Sequence, residues 1–206
     1  MKMLTVVAAS LLSVALGSSP ALAEVEEVYV PSPPADNEIQ LGAGLNTYRT
    51  GLDASTDSGS SFDLRLVFGA RRTLGLEAGY AGSLNDLKTS TGGTDALMMN
   101  SGEALIRLSL GGEGGAIQPY LAGGLGLASL SVVDRNTLAS TGDREFGNSN
   151  DVTVPAAVGI DGFINDRITL GARVGYRYFF HDQVKANASA ADAQAWNATA
   201  RLGVAF

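Results

Sequence analysis

The chain has 206 residues, 45% of them hydrophobic, a formal charge of −7, one histidine and no cysteine. That length suggests one domain; the missing cysteine excludes disulfides, thiolate metal sites, cysteine nucleophiles and attachment of lipid through cysteine. A single imidazole, His181, excludes histidine-rich metal centres, and an acidic chain is a poor partner for nucleic acid.

The first 23 residues read as a signal peptide. Lys2 gives a basic start, Leu4 to Gly17 is apolar, and Ala21-Leu22-Ala23 is a small-residue cleavage site. Cleavage after Ala23 removes Lys2 and no acid, so the remainder is one charge more acidic. The apolar stretch is short for a spanning helix, and no other run of 18 apolar residues follows. Residues 24–37 form an acidic lead with proline at 31, 33 and 34, which keeps it extended and unpaired. It is expected to lie in the periplasm.

From Glu38 the chain breaks into alternating runs. The first, 38–48, sets Ile39, Leu41, Ala43 and Leu45 against Gln40, Gly42, Gly44 and Asn46. The second, 61–70, sets Phe62, Leu64, Leu66 and Phe68 against Asp63 and Arg65. The third, 74–84, sets Leu74, Leu76, Ala78 and Tyr80 against Gly75, Glu77 and Gly79. The fourth, 101–111, sets Ala104, Ile106, Leu108 and Leu110 against Glu103, Arg107 and Ser109.

The fifth run, 118–133, has Leu121, Leu125 and Leu127 on one face, but its apolar parity switches at Leu130 and Val132, which predicts a bulge. The sixth, 152–162, sets Val152, Val154, Ala156, Val158 and Ile160 against Gly159 and Asp161. The seventh, 167–180, alternates Ile168, Leu170, Ala172, Val174, Tyr176, Tyr178 and Phe180 with Thr169, Gly171, Arg173, Gly175 and Arg177. The eighth, 194–206, sets Trp196, Ala198, Ala200, Leu202, Val204 and Phe206 against Asn197, Thr199, Arg201 and Gly203.

Period-2 alternation is the mark of strands with two unlike faces. Eight strands of about ten residues, each rising about 3.4 Å and tilted by about 45°, climb about 24 Å, the height of the apolar band of an outer-membrane barrel. The connections alternate as well. Arg71-Arg72-Thr73, Gly112 to Ile117 and Asn165-Asp166 are short, whereas 49–60, 85–100, 134–151 and 181–193 are long and polar. Short periplasmic turns opposite long outer loops fit that class. A soluble two-sheet protein is the alternative, but it has no reason to gather its long loops at one end. The expected fold is therefore an all-β, eight-stranded antiparallel up-and-down transmembrane barrel over 38–206.

The apolar faces carry no charge at mid-run, as a lipid exterior requires, since Arg or Lys there costs about 2–4 kcal/mol. Phe62, Tyr178, Phe180 and Trp196 fall near the outer rim and Phe68 and Phe206 near the periplasmic rim; Tyr48 has the wrong parity for the outer girdle. The other faces give the lumen Asp63, Glu77, Glu103 and Asp161 against Arg65, Arg107, Arg173, Arg177 and Arg201. An eight-stranded lumen holds side chains only, and buried charges need partners, so a paired network is expected. Counting from the periplasmic ends places Glu77 directly beside Arg107.

Val158 to Gly171, with the N-D turn Asn165-Asp166 followed by Thr169-Leu170-Gly171, and then Tyr176-Arg177-Tyr178, resembles the penultimate hairpin of the small outer-membrane β-barrel family. That group is related to the transmembrane domain of OmpA and to opacity-type, porin-family surface proteins. Tyr120-Leu121-Ala122-Gly123-Gly124-Leu125-Gly126 resembles another strand of that family. Leu202, Val204 and Phe206 resemble its C-terminal assembly signal, with Gly203 and Arg201 departing from the fuller pattern. The resemblance implies a Gram-negative cell envelope. It further implies folding by the barrel-assembly machinery, a setting of outer-membrane lipid and lipopolysaccharide, and loops open to an extracellular ligand. No cell-wall-binding domain is expected after the barrel.

No catalytic, cofactor or metal site is expected. His181-Asp182 stands where lipid A deacylases carry His-x-Ser, but Gln183 replaces the serine. Gly123-Gly124-Leu125-Gly126 and Gly42-Ala43-Gly44 lack the strand-turn-helix setting of a phosphate loop. Asp53, Asp57 and Asp63 lack EF-hand spacing. Asn187-Ala188-Ser189 and Asn197-Ala198-Thr199 match the glycosylation sequon by chance. The expected function is a structural or surface protein with a filled lumen and four outer loops. The alternatives are a small-solute or ion pore, and an outer-leaflet lipid-modifying enzyme using His181.

Overall fold

The computed structural model describes residues 36–50, 52, 55–88, 95–111, 113, 115–134, 149–180 and 193–206. They form eight strands: β1 Asn37–Arg49, β2 Gly59–Phe68, β3 Leu74–Asp86, β4 Asp95–Ser109, β5 Ile117–Asp134, β6 Ser149–Phe163, β7 Ile168–Phe180 and β8 Gln194–Ala205. Each pairs antiparallel with the next, and β1 pairs with β8, so the sheet is a closed barrel without an edge. The signal peptide and most of the lead lie outside the described residues; β1 starts at Asn37, one residue inside the expected lead.

The alternation seen in sequence becomes two surfaces. Leu41, Leu45, Leu74, Leu125 and Leu127 are among many exposed apolar side chains, while the arginines of the strands other than Arg49, and most of the carboxylates, turn inward. Lipid makes this arrangement favourable, because apolar side chains lose nothing there and the closed ladder gives the strand amides partners. The tight turns have local causes. Gly69 adopts φ +72°, a region closed to most side chains, and its carbonyl accepts from the Arg72 amide at 3.1 Å. Asn165 closes the β6–β7 turn by accepting at its side-chain oxygen from the amides of Arg167 and Ile168, both at 2.8 Å. These turns mark the periplasmic end.

The predicted bulge at Leu130 is absent. β4 and β5 pair residue for residue from Asp95↔Asp134 to Ser109↔Tyr120. The β5–β6 ladder lapses only at Gly124 and Leu125, opposite Pro155, which has no amide to give, and its neighbour Val154; it resumes in the same register from Gly126↔Thr153 to Leu130↔Ser149. Parity never changes; what changes is the surroundings. Leu130 and Val132 stay on the inward face and are buried, with Ser129 and Ser131 outward. Beyond the lipid band an apolar residue belongs inside and a polar one outside. The same inversion hides the true start of β4, which begins at Asp95 and not at 101, and turns Leu97 and Met99 inward. Strands therefore run from 10 to 18 residues, and the first three outer connections are shorter than the sequence suggests, while the fourth keeps its expected 181–193.

Candidate functional site: the filled lumen

All nine predicted lumen residues, Asp63, Arg65, Glu77, Glu103, Arg107, Asp161, Arg173, Arg177 and Arg201, are inside and no more than 6% exposed. Inward parity on the strands brings them together, and length lets the arginines cross. Arg173 of β7 reaches Glu77 of β3 at 2.6 Å; Arg201 of β8 reaches Asp63 of β2 at 2.5 Å; Arg177 of β7 binds Glu103 of β4. Arg65 takes the other oxygen of Glu103 at 2.6 Å and lies 3.7 Å from Asp63. Arg107 binds Asp161 at 2.7 Å. Five of these pairs join non-neighbouring strands, so the bridges occupy the lumen cross-section.

The register of β3 and β4 differs from the expected one by two residues. Arg107 opposes Gly75 and Glu77 opposes Leu105, because Leu74 pairs with Leu108 and not with Leu110. Glu77 and Arg107 are thus diagonal neighbours, and the long arginine still closes to 3.7 Å.

Three further residues complete the network. Glu38, absent from the nine expected lumen charges, is fully buried, and its parity with Gln40 is the signal in the sequence that points inward. Gln40 donates from Nε2 to Glu38 and to Asp161, each at 3.1 Å, and accepts at Oε1 from Arg201 at 2.8 Å. One amide thereby holds two carboxylates apart from each other and tied to an arginine. The Tyr120 ring lies 3.7 Å from the Arg107 guanidinium carbon, and its hydroxyl accepts from Arg201 at 3.1 Å. Gly203 belongs here too: the Glu38 carboxylate occupies the space a Cβ at 203 would fill.

Toward the outer end the filling changes character. Tyr48, Leu52, Leu87, Leu97, Met99, Leu130, Val132 and Phe179 form one buried apolar cluster, with Leu97, Leu130 and Phe179 at 0% exposure. Tyr48, whose parity did not fit the girdle, packs here against Phe179 at 6.5 Å between ring centroids. Arg177 joins the layers, its Nη1 lying 3.8 Å from the Met99 sulfur.

The periplasmic mouth is spanned by Arg71. This residue sits in the β2–β3 turn, donates to the Asn165 carbonyl of the β6–β7 turn at 2.9 Å, and lies 4.3 Å over the Phe163 ring. Those turns belong to opposite sides of an eight-stranded ring. The Arg71 carbonyl accepts from Gln118 of β5, and its amide donates to Asp36, which also pairs with Arg72.

Leu202, Val204 and Phe206 face outward and are exposed, and the Phe206 amide donates to the Asn37 carbonyl at 2.8 Å. His181 lies outside the described residues, as do Asp53, Asn187 and most of the outer loops. Among the described residues no three His, Cys, Asp or Glu side chains are grouped to hold a metal. Every lumen arginine is engaged with a carboxylate, so the arrangement suits rigidity more than proton or group transfer.

A family model for the outer membrane protein beta-barrel domain matches residues 9–206. Among solved structures, the chain is similar to Neisserial surface protein A, at 15% identity and a TM-score of 0.61, over 84% of this chain and 98% of that one. It is also similar to OprG of Pseudomonas aeruginosa, at 13% identity and 0.53, over 84% and 97%. The N-terminal β-barrel domain of Pseudomonas aeruginosa OprF matches at 12% identity and 0.51, over 84% and 99%. At these identities the likeness is one of fold. A comparison with curated protein sequences finds no match.

Proposed function

The chain belongs to the outer membrane protein β-barrel family, and from that premise we propose that it is a structural, surface-exposed barrel whose lumen carries no traffic. The observation that carries this is the stacking of two unlike seals. A crossed ion-pair network fills the middle of the lumen, and a buried apolar cluster fills its outer end. An ion meeting the charged layer would have to displace bonded partners, and the outer layer offers it mainly apolar side chains, its Tyr48 hydroxyl already bonded to Ser83 and Asn46 to Asn85. Function then resides in the wall and in the four outer loops. In this reading the chain is not an enzyme, its leader is cleaved after Ala23, and Leu202, Val204 and Phe206 present the signal taken by the barrel-assembly machinery. Its surroundings are outer-membrane lipid and lipopolysaccharide, and its loops meet any extracellular ligand.

A strain lacking the gene tests this. Sensitivity to bulky detergents should rise while small-solute uptake stays unchanged, and the intact gene should restore the barrier. Reduced solute uptake with normal detergent resistance would favour the pore instead.

A further inference from the structure

The outward surface of β1, β8 and β7 is graded from bottom to top in rows fixed by strand pairing. Leu45 and Val174 both oppose Ala198, giving an apolar row. Thr47 and Tyr176 both oppose Trp196 in the next row toward the cell exterior, where the Tyr176 and Trp196 rings stand 5.0 Å apart. Arg49 and Tyr178 both oppose Gln194 in the row above. Acyl chains, then the interface, then charged headgroups form the same sequence in an outer leaflet.

Arg49 is the sole Lys or Arg on the outward face of the eight strands, is exposed, and has no carboxylate partner among the described residues. The chain as a whole is acidic, so an anion is drawn to this point and to little else on the wall. Of the other outer aromatic pairs, Tyr178 and Phe180 adjoin this rim on β7, whereas Phe62 and Tyr80 on β2 and β3 have Asp86 at their rim, which disfavours phosphate.

We propose that this rim seats the phosphorylated sugar headgroup of an outer-leaflet glycolipid. The Arg49 guanidinium takes the phosphate through paired N–H donors, and Gln194 lends a neutral donor beside it. The Trp196 and Tyr176 rings take the apolar face of the sugar at the depth where such rings sit by preference. The proposal rests on the reading of the chain as an outer-membrane barrel with β1 ending outward at Arg49.

Trp196 is the one tryptophan of the chain, so its emission reports on the seat directly. Purified protein folded in detergent is titrated with diphosphoryl lipid A, with the dephosphorylated lipid, and with phosphatidylglycerol. The expected result is a saturable emission change with diphosphoryl lipid A, half-saturation about tenfold higher in Arg49→Gln, and weak responses to the other two lipids. Native mass spectrometry of Trp196→Leu should show fewer bound lipid A molecules. Equal titration by phosphatidylglycerol, or an Arg49→Gln curve that overlays the parent, overturns the seat. Each variant is first shown to change gel mobility on heating, so misfolding is not mistaken for lost affinity. A folded barrel that ignores lipid A overturns this inference alone and leaves the closed-lumen reading standing.

Discussion

Arg107 stands diagonal to Glu77, not opposite it, and divides its charge between Asp161 at 2.7 Å and Glu77 at 3.7 Å. The distances rank the two couplings. Removing Arg107 leaves Asp161 facing a narrow interior without its cation, a change that costs about 3–5 kcal/mol for a buried pair. Double-mutant cycles on denaturant unfolding of the detergent-folded barrel should give a larger coupling for Arg107 with Asp161 than with Glu77. Equal couplings would place Arg107 midway between the two carboxylates.

The inversion of β5 above the lipid band predicts unequal costs for similar substitutions. Leu130→Ala opens a hole in the apolar cluster and should destabilise by about 2–5 kcal/mol. Leu127→Ala, on the outward face of the same strand, should cost clearly less, since lipid fills the space. Cysteines at Ser129 and Ser131 should react with an impermeant maleimide on intact cells and a cysteine at 130 should not. Reaction at 130 would restore the bulge that the pairing lacks.

Much of the fold was legible because the membrane makes one rule hold for most of each strand: apolar out, polar in. All eight strands and the nine paired charges followed from that rule. It failed where the rule reverses. Leu97, Met99, Leu130 and Val132 keep their parity while lipid gives way to water, so a strand in one register looked like a bulge or a loop. Glu38 was missed because it opens its run, where one residue gives no periodicity. The β3–β4 register slipped by two because Leu110 has outward parity yet lies past the last ladder pair, and alternation alone cannot tell a strand end from the turn that follows.

Gly203 departs from the fuller C-terminal pattern for a reason internal to the barrel. Gly203→Ala pushes the Glu38 carboxylate off its position, and the loss should be about that of its bond from Gln40, on the order of 1 kcal/mol. The same substitution in a Glu38→Ala background should cost nearly nothing. An undiminished cost there would mean that residue 203 is constrained by something other than Glu38.

Arg71→Ala removes the strut between opposite periplasmic turns. It should speed amide exchange at Ile164 and Arg72 while leaving the Gly79 and Ala104 amides protected, with a stability loss of about 1–2 kcal/mol. Uniformly faster exchange around the whole barrel would show that the strut supports more than the mouth.

The closed lumen is tested most directly by single-channel recording of purified, heat-modifiable protein in planar bilayers. Both the crossed ion pairs and the apolar cluster must be breached before an ion can pass, so the account predicts a silent baseline, unchanged by Arg71→Ala. Sustained, reproducible conductance steps from the parent protein would contradict it.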